Sequence, residues 1–381
     1  EAENWVVLDE EGKPVQYGSA TYRYYWNRNH PEARDFYKNL VRFAIEEIET
    51  DLVHFDNYSV GPGTDKVSTE RFREYLRETF TPEELREMQI MNLDSVEPPL
   101  SSPDSSFLKN AWLDFSCQSL TDSYYELSRY ARSLRPDILV ECNPGGVRDR
   151  IRPPVDHGRL LRGGEAFWDE GRHPGYRDGK LSTRIRTYKV ARRMKNMAFA
   201  YCTNPLEAAE SMAFNRDCLG CICWFEYAEL VAKPGVDEPV STDLASFVRF
   251  FHDRRDLLRD AEVIADVAVL RSFPSQVFAD TKCAQLTTEV EQTLIENRVP
   301  FQILYDHQLD DLTRYRCLIL AGCVALSDRR VSQIRAYLDS GGKVCVVGAE
   351  AGAYDEWMRP RKESPFPDLP TLEDTEPADT F

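Results

Sequence analysis

Four acidic residues close or follow short apolar runs: Asp56 after LVHF, Glu141 within ILVEC, Glu165 at the end of RLLRGGE and Glu226 after CICWF. A polar group at the end of a buried strand must be hydrogen-bonded, solvated or put to use. Two carboxyls brought together push their pKa values apart, so that one stays protonated to assist a leaving oxygen while the other stays ionised. Hydrolysis of a glycosidic bond needs such a pair. Tyr58, Phe167, Trp168, Trp224, Phe225 and Tyr227 flank the same positions and offer faces to the apolar side of a sugar ring. Asn57, Asn143 and His173 supply groups suited to sugar hydroxyls.

Each residue also has a plainer reading. Asp56 could cap the loop that follows it, but an acid directly after an apolar strand favours chemistry. Glu165 follows Gly163-Gly164, which lets backbone approach a ligand closely, and precedes aromatic residues. Glu141 is balanced between the site and an ion pair with a nearby arginine. Glu226 reads as a substrate-binding acid or a buried ion-pair partner. His54 points by alternation to the same side as Asp56 and reads first as a satisfied core histidine. Arg148, Arg150, Arg152, Arg162, Arg172 and Arg177 crowd one stretch, either pairing with the surplus acids or recognising an oxyanion on a substrate. Cys218, Cys221 and Cys223 form C-x-x-C-x-C, but no second ligand pair follows at metal spacing, and core packing is favoured. Asn57-Tyr58-Ser59 matches a glycosylation sequon at a position already claimed by the site.

These residues need elements to hold them. Pro31 opens an amphipathic helix over 31–49, with Phe36, Leu40, Phe43 and Ala44 as its apolar face. Strands are expected at 51–56, at 138–142, in RLLRGGE, at 197–201 and at 221–226, separated by helices at 68–80, 106–134, 182–195 and 205–217. Short apolar strands alternating with helices imply a parallel sheet buried on both faces. Five units ending in polar residues suit an α/β fold of (β/α)8 TIM barrel type, with strands four to eight visible and an N-terminal portion missing. After a helix at 241–260 the alternation restarts, with strands at 265–270, 301–305, 317–322 and 343–348 and helices at 283–298 and 327–340. That pattern is a small doubly wound, flavodoxin-like domain. The expected organisation is thus a barrel over 1–260, an α/β domain over 261–358, and an acidic, proline-rich tail over 359–381 read as linker or disorder.

A chain of 381 residues, 42% hydrophobic, can bury a large core, and its net charge of −17 argues against nucleic acid or an anionic membrane as partner. No apolar run is long enough to span a bilayer, and EAENWVVLDEEGK lacks the regions of a signal peptide. A soluble protein is expected, cytoplasmic, or periplasmic or secreted if a leader has been removed. The ten cysteines read as buried free thiols.

The segment QILYDHQLDDLTRYRCLILAGCVALSDRRVSQIRAYLDSGGKVCVVG (302–348) resembles the trimerisation domain of family 42 β-galactosidases, a degenerate relative of class I glutamine amidotransferases. HPEARDFYKNLVRFAIEEIETDLVHFDNY (30–58) resembles uncharacterised glycosyl-hydrolase-like barrels that carry the same appended domain. The resemblance implies a barrel glycosidase that self-associates, by analogy as a trimer. Family 42 places an acid/base glutamate after an asparagine on strand four and a nucleophile glutamate on strand seven. Here strand four ends Phe55-Asp56-Asn57 and strand seven ends Tyr201-Cys202-Thr203, so neither catalytic position carries over. An aspartate nucleophile on strand four is instead what barrel-type α-galactosidases and α-L-fucosidases use, the former with an acid/base on strand six, where Glu165 would stand. The amidotransferase cysteine elbow is replaced by Gly348-Ala349-Glu350, so the second domain is expected to be structural.

The expectation is therefore a retaining glycosidase for a galactoside- or fucoside-type bond, with Asp56 as nucleophile and Glu165 as acid/base, about 5–5.5 Å apart. Asn57, Tyr58, Glu141, Asn143, Trp168, His173, Trp224 and Glu226 would line the pocket, and no cofactor is required. The rivals are a silent carbohydrate-binding barrel and a metal-dependent hydrolase using His54, Asp56 and His173.

Overall fold

The computed structural model describes residues 5–99, 107–163, 166–171, 174–177, 179–202, 204–216, 242–259, 261–348 and 350–372. Three short strands rich in apolar residues, β1 (Leu52–Phe55), β2 (Leu139–Cys142) and β3 (Ala166–Asp169), precede a small antiparallel hairpin of β4 (Gly175–Arg177) and β5 (Lys180–Ser182). With β6 (Met197–Ala200) the first three form a parallel sheet in the order β1-β2-β3-β6. The helix Pro31–Glu46 precedes β1, and the helices Phe107–Leu134, Ile185–Arg193 and Pro205–Phe214 separate or follow the strands. This is the consecutive, helix-linked parallel pairing of part of a (β/α) barrel. The strand expected at 221–226 lies outside the described residues.

Two local expectations change here. The run RLLRGGE is not the third strand: Arg159 and Leu160 belong to the short helix His157–Leu160, and the strand follows at Ala166. Apolar runs this short do not distinguish helix from strand. The helix Pro31–Glu46 buries Ala33, Val41 and Ile45, leaving Phe36 and Phe43 46% and 56% exposed. The row at i, i+4 spacing faces the core, and the larger side chains project outward, where Trp5 leans on Phe36.

The second sheet contains β7 (Val267–Arg271), β8 (Phe301–Tyr305), β9 (Cys317–Ala321), β10 (Lys343–Val347) and β11 (Thr371–Leu372), all parallel, in the order β11-β10-β9-β7-β8. The winding reverses at β7, which makes it doubly wound as expected. Residues 359–372 are not linker: Arg335 Nε donates to Pro365 O, Arg361 reaches Asp328 and Leu326, Phe366 is buried, and β11 extends the sheet beside β10.

One hydrophobic cluster runs from Val41 and Val140 through to Ile303 and Tyr305, so the two sheets share a core. Across this seam Glu291, fully buried, accepts from Arg271 (Nε 2.7 Å, Nη2 2.6 Å) and from Arg186 Nε (2.7 Å). Lys189 Nζ donates to Phe301 O at 2.7 Å. Trp357, near the end of the described chain, packs among Phe80, Phe107 and Phe278. The seven described cysteines are free thiols, and among the described residues no helix is long and apolar enough to cross a membrane.

Candidate active site

Parallel register decides which side chains meet. β1 pairs His54 with Glu141 of β2, β2 pairs Glu141 with Ala166 of β3, and β3 pairs Trp168 with Phe199 of β6. Because side chains alternate along a strand, one face of the sheet carries His54 and Glu141. Asp56, Asn143, Trp168 and Phe199 lie one step further along, with Glu170 and Tyr201 beyond them at the carboxyl ends. A (β/α) barrel gathers ligand chemistry there.

Asp56 is half exposed and held by three donors. Its Oδ1 accepts from Asn57 N (2.9 Å) and Asn143 Nδ2 (3.1 Å), and its Oδ2 from Asn57 Nδ2 (2.6 Å). Asn57 has φ of 51°, a left-handed turn that asparagine tolerates and that folds its amide back onto Asp56. Asn143, buried, is fixed by its own backbone: its N donates to Phe55 O (3.0 Å) and its O accepts from Tyr58 N (2.7 Å). Its side-chain amide donates both to Asp56 Oδ1 and to Glu170 Oε2, each at 3.1 Å. Two acceptors on one NH2 group at that distance stand about 5–6 Å apart, close to the retaining separation of about 5–5.5 Å. Tyr201 Oη donates to Glu170 Oε1 at 3.3 Å.

Below this pair lies a second polar layer. Glu141 is 3% exposed, its Oε2 is 3.0 Å from His54 Nδ1, and its Oε1 has no hydrogen-bond partner among the described residues. His54 Nε2 is 3.6 Å from Asp56 Oδ1, so the imidazole stands between two carboxylates. The hydrogen bond to Glu141, opposed by burial and aided by the charges of Glu141 and Asp56, raises the His54 pKa. Glu141 thus pairs with histidine, not with an arginine. Trp168 lies edge-on to His54 and Tyr201 and stacks with Phe199, forming an aromatic wall.

The residues expected at the site divide unevenly. Asp56, Asn57, Asn143, Glu141 and Trp168 come together. Tyr58 does not line the pocket: it is 1% exposed, its hydroxyl meets Ser123 Oγ at 2.7 Å, the Arg28 guanidinium lies 4.2 Å from its ring, and burial pushes its pKa up to about 12. It is a core residue with its polar end satisfied. Glu165, His173, Trp224 and Glu226 lie outside the described residues. Glu170 and Tyr201 were not anticipated, although Asp169-Glu170 after AFW carries the same acid-after-strand signal as Asp56. Asp169 is buried, accepting from Thr187 Oγ1 (2.7 Å) and Gly171 N (3.0 Å), and so orders the turn that presents Glu170. Among the described residues no group of three or more His, Cys, Asp or Glu side chains is placed to hold a metal ion. Cys323, at the end of β9, is buried, its thiol pushed well up by that burial and set against Leu270 O.

No protein-family model matches the chain, and no curated protein sequence does. Solved structures do match in fold. A β-galactosidase from Bacillus circulans sp. alkalophilus superposes with a TM-score of 0.73 at 15% identity, over 94% of this chain and 60% of that one. Gan42B, a GH42 β-galactosidase from G. stearothermophilus, gives 0.76 at 13%, over the same shares. An exo-carrageenase GH42 from Bacteroides ovatus gives 0.69 at 12%, over 93% and 58%. The chain therefore has the fold of family 42-like glycosyl hydrolases and spans about 60% of the length of these structures.

Proposed function

We propose that this chain carries the carboxylate pair of a retaining glycoside hydrolase acting on a galactoside- or fucoside-type bond, with Asp56 as nucleophile and Glu170 as general acid/base. The observation that carries this reading is the single amide of Asn143 spanning both carboxylates at 3.1 Å each, at the carboxyl ends of parallel strands. Glu165 precedes β3 in the chain and Glu170 follows it, so the acid/base role passes to Glu170. Asp56 attacks the anomeric carbon as Glu170 gives its proton to the departing oxygen. Glu170 then takes a proton from the water that displaces Asp56 from the sugar. His54, braced by Glu141, keeps Asp56 oriented, and Trp168 supplies a face for the ring. The names of the structures that share this fold, β-galactosidases and an exo-carrageenase, support a glycoside substrate. The second sheet serves assembly, as a homo-oligomer and by resemblance a trimer, which sedimentation equilibrium would measure.

The test is turnover of a panel of aryl galactosides and fucosides by the wild type and by Asp56→Asn, Glu170→Gln and Glu165→Gln. Loss of about 10³-fold in kcat, roughly 4 kcal/mol of barrier, is expected for the first two, and the first-formed sugar should keep its anomeric configuration by NMR. Loss in Glu165→Gln with activity retained in Glu170→Gln would return the acid/base role to Glu165. Sugar binding without turnover in any protein would make this a silent binding barrel, and a stoichiometric ion in the purified protein would make it a metal-dependent hydrolase.

A further inference from the structure

Six of the arginines between Gly145 and Lys195 fall into two sets. Arg159 pairs with Asp114 and Asp156, Arg184 donates to Gly171 O and Tyr201 O, and Arg186 pairs with Glu291. These are structural. Arg148, Arg150 and Arg152 have no carboxylate partner among the described residues, in a chain of net charge −17. The three instead line one cavity of about 280 Å³, together with Ser59, Pro144 and Gly146, and no acidic side chain is in its wall among the described residues. His157 also borders it but is neutral: burial, reinforced by Arg271 and Arg148, brings its pKa down to about 4, and its Nε2–H donates to Gly145 O at 2.7 Å. Like charges gathered without counter-charge repel one another, so the arrangement fits an anion.

The cavity adjoins the carboxylate pair. Pro144 follows Asn143, whose amide holds both acids, and Ser59 follows Tyr58, whose N–H is bonded to Asn143 O. The Arg148 guanidinium lies over Gly171, the residue after Glu170, where any side chain would collide with it. A sugar seated on Asp56 and Glu170 would thus have the neighbouring part of its chain, or its own substituent, next to three guanidiniums that no carboxylate among the described residues neutralises.

We propose that this cavity is the subsite for an anionic substituent, a sulfate ester or a carboxylate, on the sugar chain to be cleaved; the inference rests on the glycosidase reading of the adjoining site. Guanidinium presents paired N–H groups that match either oxyanion. The test is calorimetric titration of Asp56→Asn, which binds without turnover, with three oligosaccharides of equal length: a sulfated galactan fragment, an oligogalacturonide and a neutral galactan fragment. The same titrations follow in Asp56→Asn carrying Arg150→Gln and Arg152→Gln; both arginines are exposed, so unchanged melting will show an intact fold. One charged ligand should bind at least about tenfold more tightly than the neutral one. That ratio should collapse in the arginine variant and shrink between about 50 and about 300 mM salt. Which charged ligand prevails separates sulfate from carboxylate. Equal binding of the neutral ligand, a preference that survives the arginine replacements, or no binding at all would overturn the proposal. Wild-type turnover of neutral aryl glycosides alongside equal binding would remove the subsite and leave the hydrolase, whereas charge-selective binding without any turnover would do the reverse.

Discussion

Glu291→Gln tests how the two sheets are joined. The substitution keeps the shape of the side chain but removes the carboxylate paired with both Arg271 and Arg186, leaving two guanidiniums 1% and 4% exposed with no other ion-pair partner among the described residues. Breaking a buried ion pair by removing one partner costs about 3–5 kcal/mol. Unfolding entropy of about 2.1 cal/mol/K per residue gives roughly 0.8 kcal/mol/K over the 381 residues, so Tm at pH 7 should fall by about 4–6 °C. Acid adds a signature. Burial opposes ionisation of Glu291, but Arg271 and Arg186 outweigh it and hold its pKa below the ordinary carboxylate value. A depressed pKa contributes stability that is present above the unfolded value and lost as pH falls through the folded one. The gap in Tm between wild type and variant should therefore be full at pH 7 and close as pH drops below about 4. Replacing all three residues by Leu, Met and Leu should cost less than Glu291→Gln alone, because no charge is then stranded. Scanning calorimetry across pH measures all of this. A Tm within about 1 °C of wild type at pH 7, or a gap that widens in acid, would refute the assignment.

The site offers two further tests. Because Glu141 is the largest cause of the raised His54 pKa, Glu141→Gln should lower the His54 midpoint in an NMR titration; the wild-type pair stabilises below the ordinary histidine value and fades as pH rises through the folded one, and identical midpoints would contradict the 3.0 Å contact. A Cβ at Gly146 would fall on the Asp169 carboxylate, so Gly146→Ala should break the Asp169–Thr187 bond and cost about 1–3 kcal/mol, read by thermal melting; an unchanged melt would mean the turn has room to give.

Most of the strands were legible because they are short, apolar and bounded by polar residues. Asp56 and Asn143 were legible for the same reason, each being the first polar residue beyond a run that needs burial. Glu170 was not, because RLL in 159–161 has a composition that serves helix and strand equally, and assigning it to the strand moved the strand end from Asp169 back to Glu165. The buried face of Pro31–Glu46 escaped because the helix carries two apolar rows, and only its packing against Phe107–Leu134 selects between them. Tyr58 looked like a sugar platform by position, yet its ring completes the core against Phe55 and against Tyr124, the second distant in sequence. The tail composition suggested solvation, but a few residues such as Phe366 suffice to anchor a polar segment to an available sheet edge.

The indole of Trp357 has a consequence for synthesis on the ribosome. It seals a gap among phenylalanines contributed by residues 80, 107 and 278, so the hydrophobic interior around them stays open long after those three have been translated. The nascent barrel segment must wait, sticky side uncovered, until residue 357 itself has been translated. A stalled or prematurely terminated product would therefore present an unfinished surface suited to chaperone capture.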